Sequence, residues 1–134
     1  MREPLFLTLT EVIKVHTDQI RRYGGQQGIR DIGLLESALT QPEASFAGEW
    51  LHKGLYEMAS AYAYHLCQNH PFIDGNKRTA LACALVFLEL NGVIISDPKG
   101  LLKTEMLQIA SGKTEKVKLA KLLRRLPQRK VIKK

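Results

Sequence analysis

Apolar residues recur at three- and four-residue steps along most of the chain, a spacing typical of helices that bury one face. The first of these runs begins at Thr8, which has capping-box spacing to Glu11, and it stops at Gly24. Asp31 is a candidate N-cap for a short second helix that ends at Pro42. Further runs predict helices over about 51–69, 77–90, 101–110 and 114–126, with 93–95 as a short extended piece. The pattern predicts an all-α fold.

The segment 77–90 is apolar on almost every side after its first turn. A helix without a polar face is a buried one, so we expect this helix, over about 77–91, at the centre of a compact helical bundle. No internal repeat or low-complexity linker interrupts the pattern. We therefore expect one helical domain over 1–126, followed by a basic C-terminal tail over 127–134.

The composition agrees with one globular domain: the chain has 134 residues, of which 45% are hydrophobic and 25% charged. The longest apolar stretch, 81–88, is far shorter than the roughly 20 residues of a bilayer span, and the N-terminus has no signal-peptide pattern. Cys67 and Cys83 stand in apolar surroundings, which favours buried thiols in a reducing compartment. These features predict a soluble cytoplasmic protein without a membrane partner.

Positive charge is concentrated at the C-terminal end of the chain. The formal net charge is +7, but residues 113–134 hold ten of the 20 basic residues and one of the 13 acidic ones. The rest of the chain therefore has a slight excess of acidic residues. One alternative function is a nucleic-acid-binding helical domain that works through 113–134, although a basic terminal segment is more often a solvated end.

The stretch 70–78 combines residue types that suit phosphate chemistry. Gly75 and Asn76 mark the start of the predicted buried helix, where unpaired N–H groups and a partial positive charge attract anions. Lys77 and Arg78 add two cations to the first turn, which is unfavourable for the helix dipole unless an anion compensates them. The competing interpretation is a polar loop that caps a buried helix, with both cations in solvent.

Two further side chains of this stretch have the chemistry of a group-transfer site. Asp74 is a candidate Mg2+ ligand, since Mg2+ is held by one or two carboxylates together with phosphate oxygens. His70 is a candidate general base for a hydroxyl nucleophile. An anion cradle, a metal ligand and a base predict transfer of a phosphate-containing group. His16, by contrast, lies on the apolar face of its helix, where a core histidine is the favoured interpretation.

The sequence His-Pro-Phe-Ile-Asp-Gly-Asn-Lys-Arg at 70–78 resembles the core motif of the Fic/Doc superfamily. The continuation over 79–93 and the stretch 22–33 resemble its death-on-curing (Doc) branch, whose members are the toxins of toxin–antitoxin systems. The resemblance runs over about 5–126. It implies the Fic/Doc-type helical bundle and an enzyme that modifies proteins.

The resemblance also implies a role for each residue of the motif. His70 is the catalytic base, Asp74 is the Mg2+ ligand, and Phe72 is the buried anchor of the loop. The anion hole that binds the nucleotide phosphates comprises Gly75, Asn76, Lys77 and Arg78.

Two positions separate the Doc branch from adenylyl-transferring Fic proteins. Those proteins have Gly where this chain has Lys77, and a second Arg where it has Leu81. The Doc branch phosphorylates a translation factor, elongation factor Tu. The resemblance therefore implies a translation-inhibiting toxin that transfers a phosphoryl group from ATP, with Mg2+, to a protein hydroxyl; transfer of AMP is the alternative.

The resemblance further implies a partner that restrains the toxin. Self-restrained Fic proteins carry an inhibitory helix motif, and the nearest string in this chain, 45–50, does not fit it. We therefore expect a Phd-like antitoxin as partner, besides the protein substrate. Nucleic acid is not an expected partner.

Overall fold

All six helices that the spacing predicts are present in the computed structural model, which describes residues 3–131. The order of elements is α1 (Leu9–Tyr23), α2 (Ile32–Thr40), β1 (Ser45–Phe46), β2 (Glu49–Trp50), α3 (Leu55–Asn69), α4 (Asn76–Leu90), β3 (Val93–Ile95), α5 (Leu101–Ala110), α6 (Lys116–Arg125) and β4 (Gln128–Lys130). The strands form two small antiparallel pairs, β1 with β2 and β3 with β4. The fold is all-α, as the sequence predicts.

Local signals in the sequence explain where the first two helices begin. The amide of Glu11 donates to Thr8 Oγ1 over 3.1 Å, and the amide of Thr8 donates to Glu11 Oε1 over 2.8 Å, which completes the predicted capping box. Asp31 accepts from the amide of Leu34 over 2.9 Å and caps α2. Each cap stabilises its helix by about 1 kcal/mol.

The third helix begins later than its apolar spacing predicts, at Leu55 and not near residue 51. The chain before it reverses direction in the β1–β2 hairpin, where Ala47 and Gly48 have φ of 53° and 79°. These left-handed conformations interrupt any helix and produce the turn. Periodicity alone did not predict the hairpin, since each of its strands is only two residues long.

The core is built around the antiparallel pair α3 and α4. Helices α1 and α5 and strand β3 pack on α4, while α2, α5 and α6 pack on α3. Tyr62 of α3 and Phe87 of α4 are fully buried, with ring centroids 5.2 Å apart. The predicted position of α4 at the centre is therefore confirmed. The ends of α3 and α4 nearest in sequence, Asn69 and Asn76, are joined by the short loop 70–75, so this loop lies on a rigid base.

Part of the predicted basic tail pairs with the helical domain. Residues 128–130 form β4 and pair with β3 in the register Val93↔Lys130, Ile94↔Arg129 and Ile95↔Gln128. The Tyr56 hydroxyl donates to the side-chain oxygen of Gln128, which fastens the strand to α3. The last predicted tail residues, 132–134, lie outside the described residues.

No helix in the described part of the chain is long and apolar enough to cross a bilayer. Cys67 and Cys83 are free and buried, as expected, and burial raises the pKa of both thiols. Raised pKa values suit structural cysteines more than reactive ones.

Candidate active site

The loop between α3 and α4 is bounded by two residues in the left-handed conformation. His70, with φ 50° and ψ 52°, ends α3, and Gly75, with φ 74° and ψ 22°, precedes α4. The left-handed φ at Gly75 favours glycine, and a Cβ there would lie 2.9 Å from Cδ1 of Ile20, whose end would have to shift. These two reversals turn the loop outward at the N-terminus of α4.

Asn76 holds the loop closed with its side chain. Its Oδ1 accepts from the amide of Phe72 over 2.9 Å, and its Nδ2 donates to the oxygen of Phe72 over 2.9 Å. Asn76 is buried, and Phe72 is only 1% exposed. The side-chain amide of Asn76 therefore serves the loop backbone, while its main-chain N–H stays free at the start of α4. The expected burial of Phe72 is confirmed.

The segment 24–31 clamps the loop from the other side. The amide of Ile73 donates to the oxygen of Gly28 over 3.0 Å, and the amide of Arg30 donates to the oxygen of Pro71 over 2.7 Å. The Arg30 guanidinium also donates to the backbone oxygens of His70 and Asn69, at 2.7 and 3.0 Å. The last carbonyls of α3 are thereby satisfied by a cation, which is favourable at a helix C-terminus.

All six predicted site residues line one cavity of about 600 Å3. They are His70, Asp74, Gly75, Asn76, Lys77 and Arg78. Cys67, Ile73, Lys103 and Ala110 complete the lining. Within the described residues the His70 side chain forms no hydrogen bond and is exposed, so its imidazole is free to meet a substrate.

Asp74 is the acidic residue of the cavity. Its carboxylate accepts from the amides of Gly75 at 2.9 Å and Gln26 at 3.2 Å. The hydrogen bonds from Gln26 and Gly75 lower the pKa of Asp74 below its usual value, and the charge of Arg78 adds to this. The carboxylate is therefore ionised at neutral pH. A Cβ at Gly25 would lie 2.8 Å from its Oδ2, so the glycine at 25 makes room for the carboxylate.

The first turn of α4 presents unpaired amides to the same cavity. No side chain caps α4, and within residues 3–131 the amides of Asn76, Lys77 and Arg78 have no acceptor. A helix of 15 residues adds its dipole to these donors. These donors make the start of α4 a candidate anion site.

The two cations of this turn are used differently. Arg78 donates to the oxygens of Tyr23 and Gly24, at 3.3 and 2.8 Å, and so caps the C-terminal end of α1. Its guanidinium carbon also lies 5.7 Å from the centre of the Tyr23 ring. Lys77 has no ion-pair partner among the described residues. Arg78 therefore links two helices, while Lys77 is the free cation of the first turn.

The donors present fit Mg2+ only in company with phosphates. No group of three or more His, Cys, Asp or Glu side chains capable of holding a metal occurs among the described residues. Mg2+ that accompanies a nucleotide is, however, bound by only one or two carboxylates, and phosphate oxygens and water complete its coordination. Asp74 is the residue that would hold the ion.

Sequence reasoning missed three residues around the site: Gln26, Arg30 and Lys103. Gln26 acts through its backbone amide, for which the residue type carries no signal. Arg30 reaches the loop from a distance of 40 residues, and Lys103 enters the cavity from α5. The Gly-rich stretch 24–28 was the available signal that backbone approaches the site closely here.

Comparison with known proteins identifies relatives. The family model described as the Fic/DOC family matches residues 6–88, which include the clamp and the loop. A protein named Toxin Doc, from Mycolicibacterium smegmatis, is 44% identical over 71 residues, 53% of this chain and 55% of that protein. A protein named Protein kinase doc, from Escherichia phage P1, is 37% identical over 116 residues, 87% of this chain and 90% of that protein. The match thus spans about half of the first relative and nearly all of the second.

Proposed function

The chain belongs to the Fic/DOC family, and from this premise we propose that it transfers the terminal phosphoryl group of ATP to a hydroxyl group of a protein. The observation that carries the proposal is the shared cavity of His70, the ionised Asp74 and the uncapped N-terminus of α4. These are the three components that phosphoryl transfer needs: a base, a metal ligand and donors for developing negative charge.

In this reaction the imidazole of His70 takes the proton of the substrate hydroxyl. The hydroxyl oxygen forms a bond to the terminal phosphorus, and the bond from that phosphorus to the bridging oxygen breaks, so ADP leaves with the electron pair. The free amides at the start of α4 stabilise the phosphate oxygens during transfer. Bound Mg2+, held by Asp74 and the phosphates, would neutralise charge on the nucleotide.

Lys77 favours phosphoryl transfer over AMP transfer. Its side chain lines the cavity at the turn where the phosphates bind. A lysine there fills space that the inner phosphates of a nucleotide would otherwise use and adds a charge beside the terminal phosphate. The relative named Protein kinase doc, which aligns over 87% of this chain, supports the same choice.

We infer that the biological role is that of a toxin, with a translation factor such as elongation factor Tu as target and a Phd-like antitoxin as partner. The relatives' names, Toxin Doc and Protein kinase doc, support the toxin and the kinase. A groove of about 570 Å3 between α1, α4 and α5 supports the proposal of an antitoxin partner, because it is open to solvent and its lining is largely apolar. Its apolar residues include Tyr23, Leu81, Leu85, Met106 and Leu107.

Labelled ATP tests the reaction directly. The protein is incubated with bacterial lysate, Mg2+ and ATP labelled at either the α or the γ phosphorus. Transfer of label to a protein from the γ position only is the expected result, and it should disappear in His70→Asn. Transfer from the α position only would overturn the assignment as a kinase, and absence of transfer from either position would overturn the proposed activity.

A further inference from the structure

Lys103 lines the candidate active-site cavity from α5, the helix that follows α4 and β3. It lies outside the motif 70–78, yet it lines the cavity together with His70, Asp74 and Lys77. Lys103 is exposed, and within residues 3–131 it has no ion-pair or hydrogen-bond partner. Among residues 3–131 no side chain or backbone group engages this ammonium, so it is free to meet a ligand.

The third cation of the cavity lining, Arg78, is engaged in hydrogen bonds to the backbone. Two donors of Arg78 are bonded to the carbonyls of α1. Lys77 and Lys103 are therefore the two cations of the cavity lining with free ammonium groups, Lys77 on α4 and Lys103 on α5.

The charge of the cavity fits a polyphosphate better than a single anion. Lys77, Arg78 and Lys103 face one carboxylate, Asp74, so the lining has an excess of positive charge. A nucleoside triphosphate with Mg2+ carries a compensating negative charge, which is spread along its phosphate chain. Lys103 and Lys77 also line the neighbouring groove between α1, α4 and α5, so they stand where the cavity opens.

We propose that Lys103 of α5 binds the phosphate chain of the nucleotide, together with the first turn of α4. The inference rests on the proposed function and adds a substrate-binding residue to it. Lys103 contacts the phosphates in the ground state and in the transition state alike, so it contributes to nucleotide affinity more than to turnover.

The test compares Lys103→Gln with Lys99→Gln. Lys99 is an exposed lysine just before α5 that lines neither cavity, so its loss controls for the change in net charge. Binding of Mg2+-ATP and of inorganic tripolyphosphate is measured by calorimetry at one ionic strength, and transfer of γ-label is followed as a function of ATP concentration. Lys103→Arg serves as the conservative variant.

We expect Lys103→Gln to weaken binding of both ligands by about tenfold, the usual effect of one charged contact, with a matching rise in KM and kcat within threefold. Lys99→Gln should stay within twofold of wild type, and Lys103→Arg should recover most of the affinity. If the wild type binds and transfers phosphate and Lys103→Gln does so equally well, the inference fails and the proposed function stands. If the wild type binds neither ligand, both fail.

Discussion

The imidazole of His16 lies flat against the ring of Phe72, with centroids 3.8 Å apart and planes 5° from parallel. Its Nε2–H donates to the backbone oxygen of Asp74 over 2.8 Å. Both side chains are buried, so His16 of α1 packs against the loop 70–75 on its core side. The expected core histidine is thus confirmed, and its contacts give it a positioning role beside the candidate metal ligand.

This contact predicts that His16→Leu loosens the loop without unfolding the bundle. Leucine retains apolar bulk but leaves the oxygen of Asp74 without its donor, so we expect a loss of about 2 kcal/mol in the free energy of unfolding. Phosphoryl transfer should fall more than tenfold. His16→Gln, which keeps a donor, should retain more of both quantities in urea unfolding and activity assays. Equal effects of the two variants would contradict a role for the hydrogen bond.

Loss of His70 should abolish transfer of label and growth inhibition, because no other imidazole lines the described cavity. The backbone at this position is left-handed, which asparagine tolerates better than alanine. We therefore expect His70→Asn to melt within about 2 °C of wild type, and His70→Ala to be slightly less stable. Growth of cells after induced expression, with thermal melting as control, checks this. Toxicity equal to that of wild type in a folded His70→Asn would exclude the catalytic role.

Asp74→Asn should lower transfer of label at least tenfold and make it less responsive to Mg2+. The amides of Gly75 and Gln26 donate to different oxygens of Asp74, so asparagine keeps one of these two hydrogen bonds, whereas alanine would lose both. The rate is measured over a Mg2+ titration, with melting as control. An unchanged dependence on Mg2+ would show that Asp74 does not hold the ion.

Lys77→Gly tests whether space at this position selects the phosphorus that reacts. We expect weaker γ transfer and the appearance of some α transfer, because the inner phosphates gain room near His70. Lys77→Met is the matched control, since it fills the same space without the charge. Transfer of α-label by both variants would indicate that the charge of Lys77 selects the phosphorus that reacts. Transfer by neither would show that Lys77 does not select it.

A cluster of three basic groups makes stability depend on pH. The Lys116 ammonium donates to Nε2 of His52 and of His65, at 3.1 and 3.0 Å. Burial, and then the charge of Lys116, lowers the pKa of His65 to about 4 and also lowers the pKa of His52. Glu57 is the carboxylate that opposes the shift at His52, but it is paired with Arg124. Both imidazoles are therefore neutral in the folded protein at pH 7.

Since the folded pKa of His65 lies below its value of about 6.5 in the unfolded chain, the unfolded state binds more protons below pH 6.5. The contribution of His65 to the free energy of unfolding is therefore fully present at pH 7, and it is lost as the pH falls towards 4. Allowing for partial exposure, we expect about 1–2 kcal/mol of loss between pH 7 and pH 5 from this residue. Urea midpoints at both pH values should show a smaller loss in His65→Gln, while Lys53→Gln should keep the wild-type loss.

Deletion of residues 128–134 should lower the free energy of unfolding by about 2 kcal/mol, because it removes the ladder to β3 and the Tyr56–Gln128 hydrogen bond. The double variant Arg129→Gln and Lys130→Gln keeps the strand and removes two charges, so it should stay within about 0.5 kcal/mol of wild type. Denaturant unfolding measures both. An unchanged midpoint for the deletion would show that β4 contributes nothing to stability.

Helix positions were predictable because their signals are local. The capping box at Thr8, the Asp31 cap and the apolar run of α4 act over a few residues and do not depend on distant contacts. The β1–β2 hairpin and β4 were not predictable from periodicity, since two- and three-residue strands carry no pattern long enough to detect.

The residue types of the site and their order follow from the sequence alone, since seven of the cavity residues stand within 70–78. Which groups the side chains of these residues bond to depends on the tertiary structure. In an isolated helix the side-chain donors of Arg78 and Asn76 would face water. In the fold Arg78 donates to the oxygen of Gly24 at the end of α1, and Asn76 donates to the oxygen of Phe72. Such partners belong to other turns and elements, and hydrogen bonds form only between groups that packing brings within about 3 Å. The same packing, and no pattern in the sequence, brings Lys103 to the cavity.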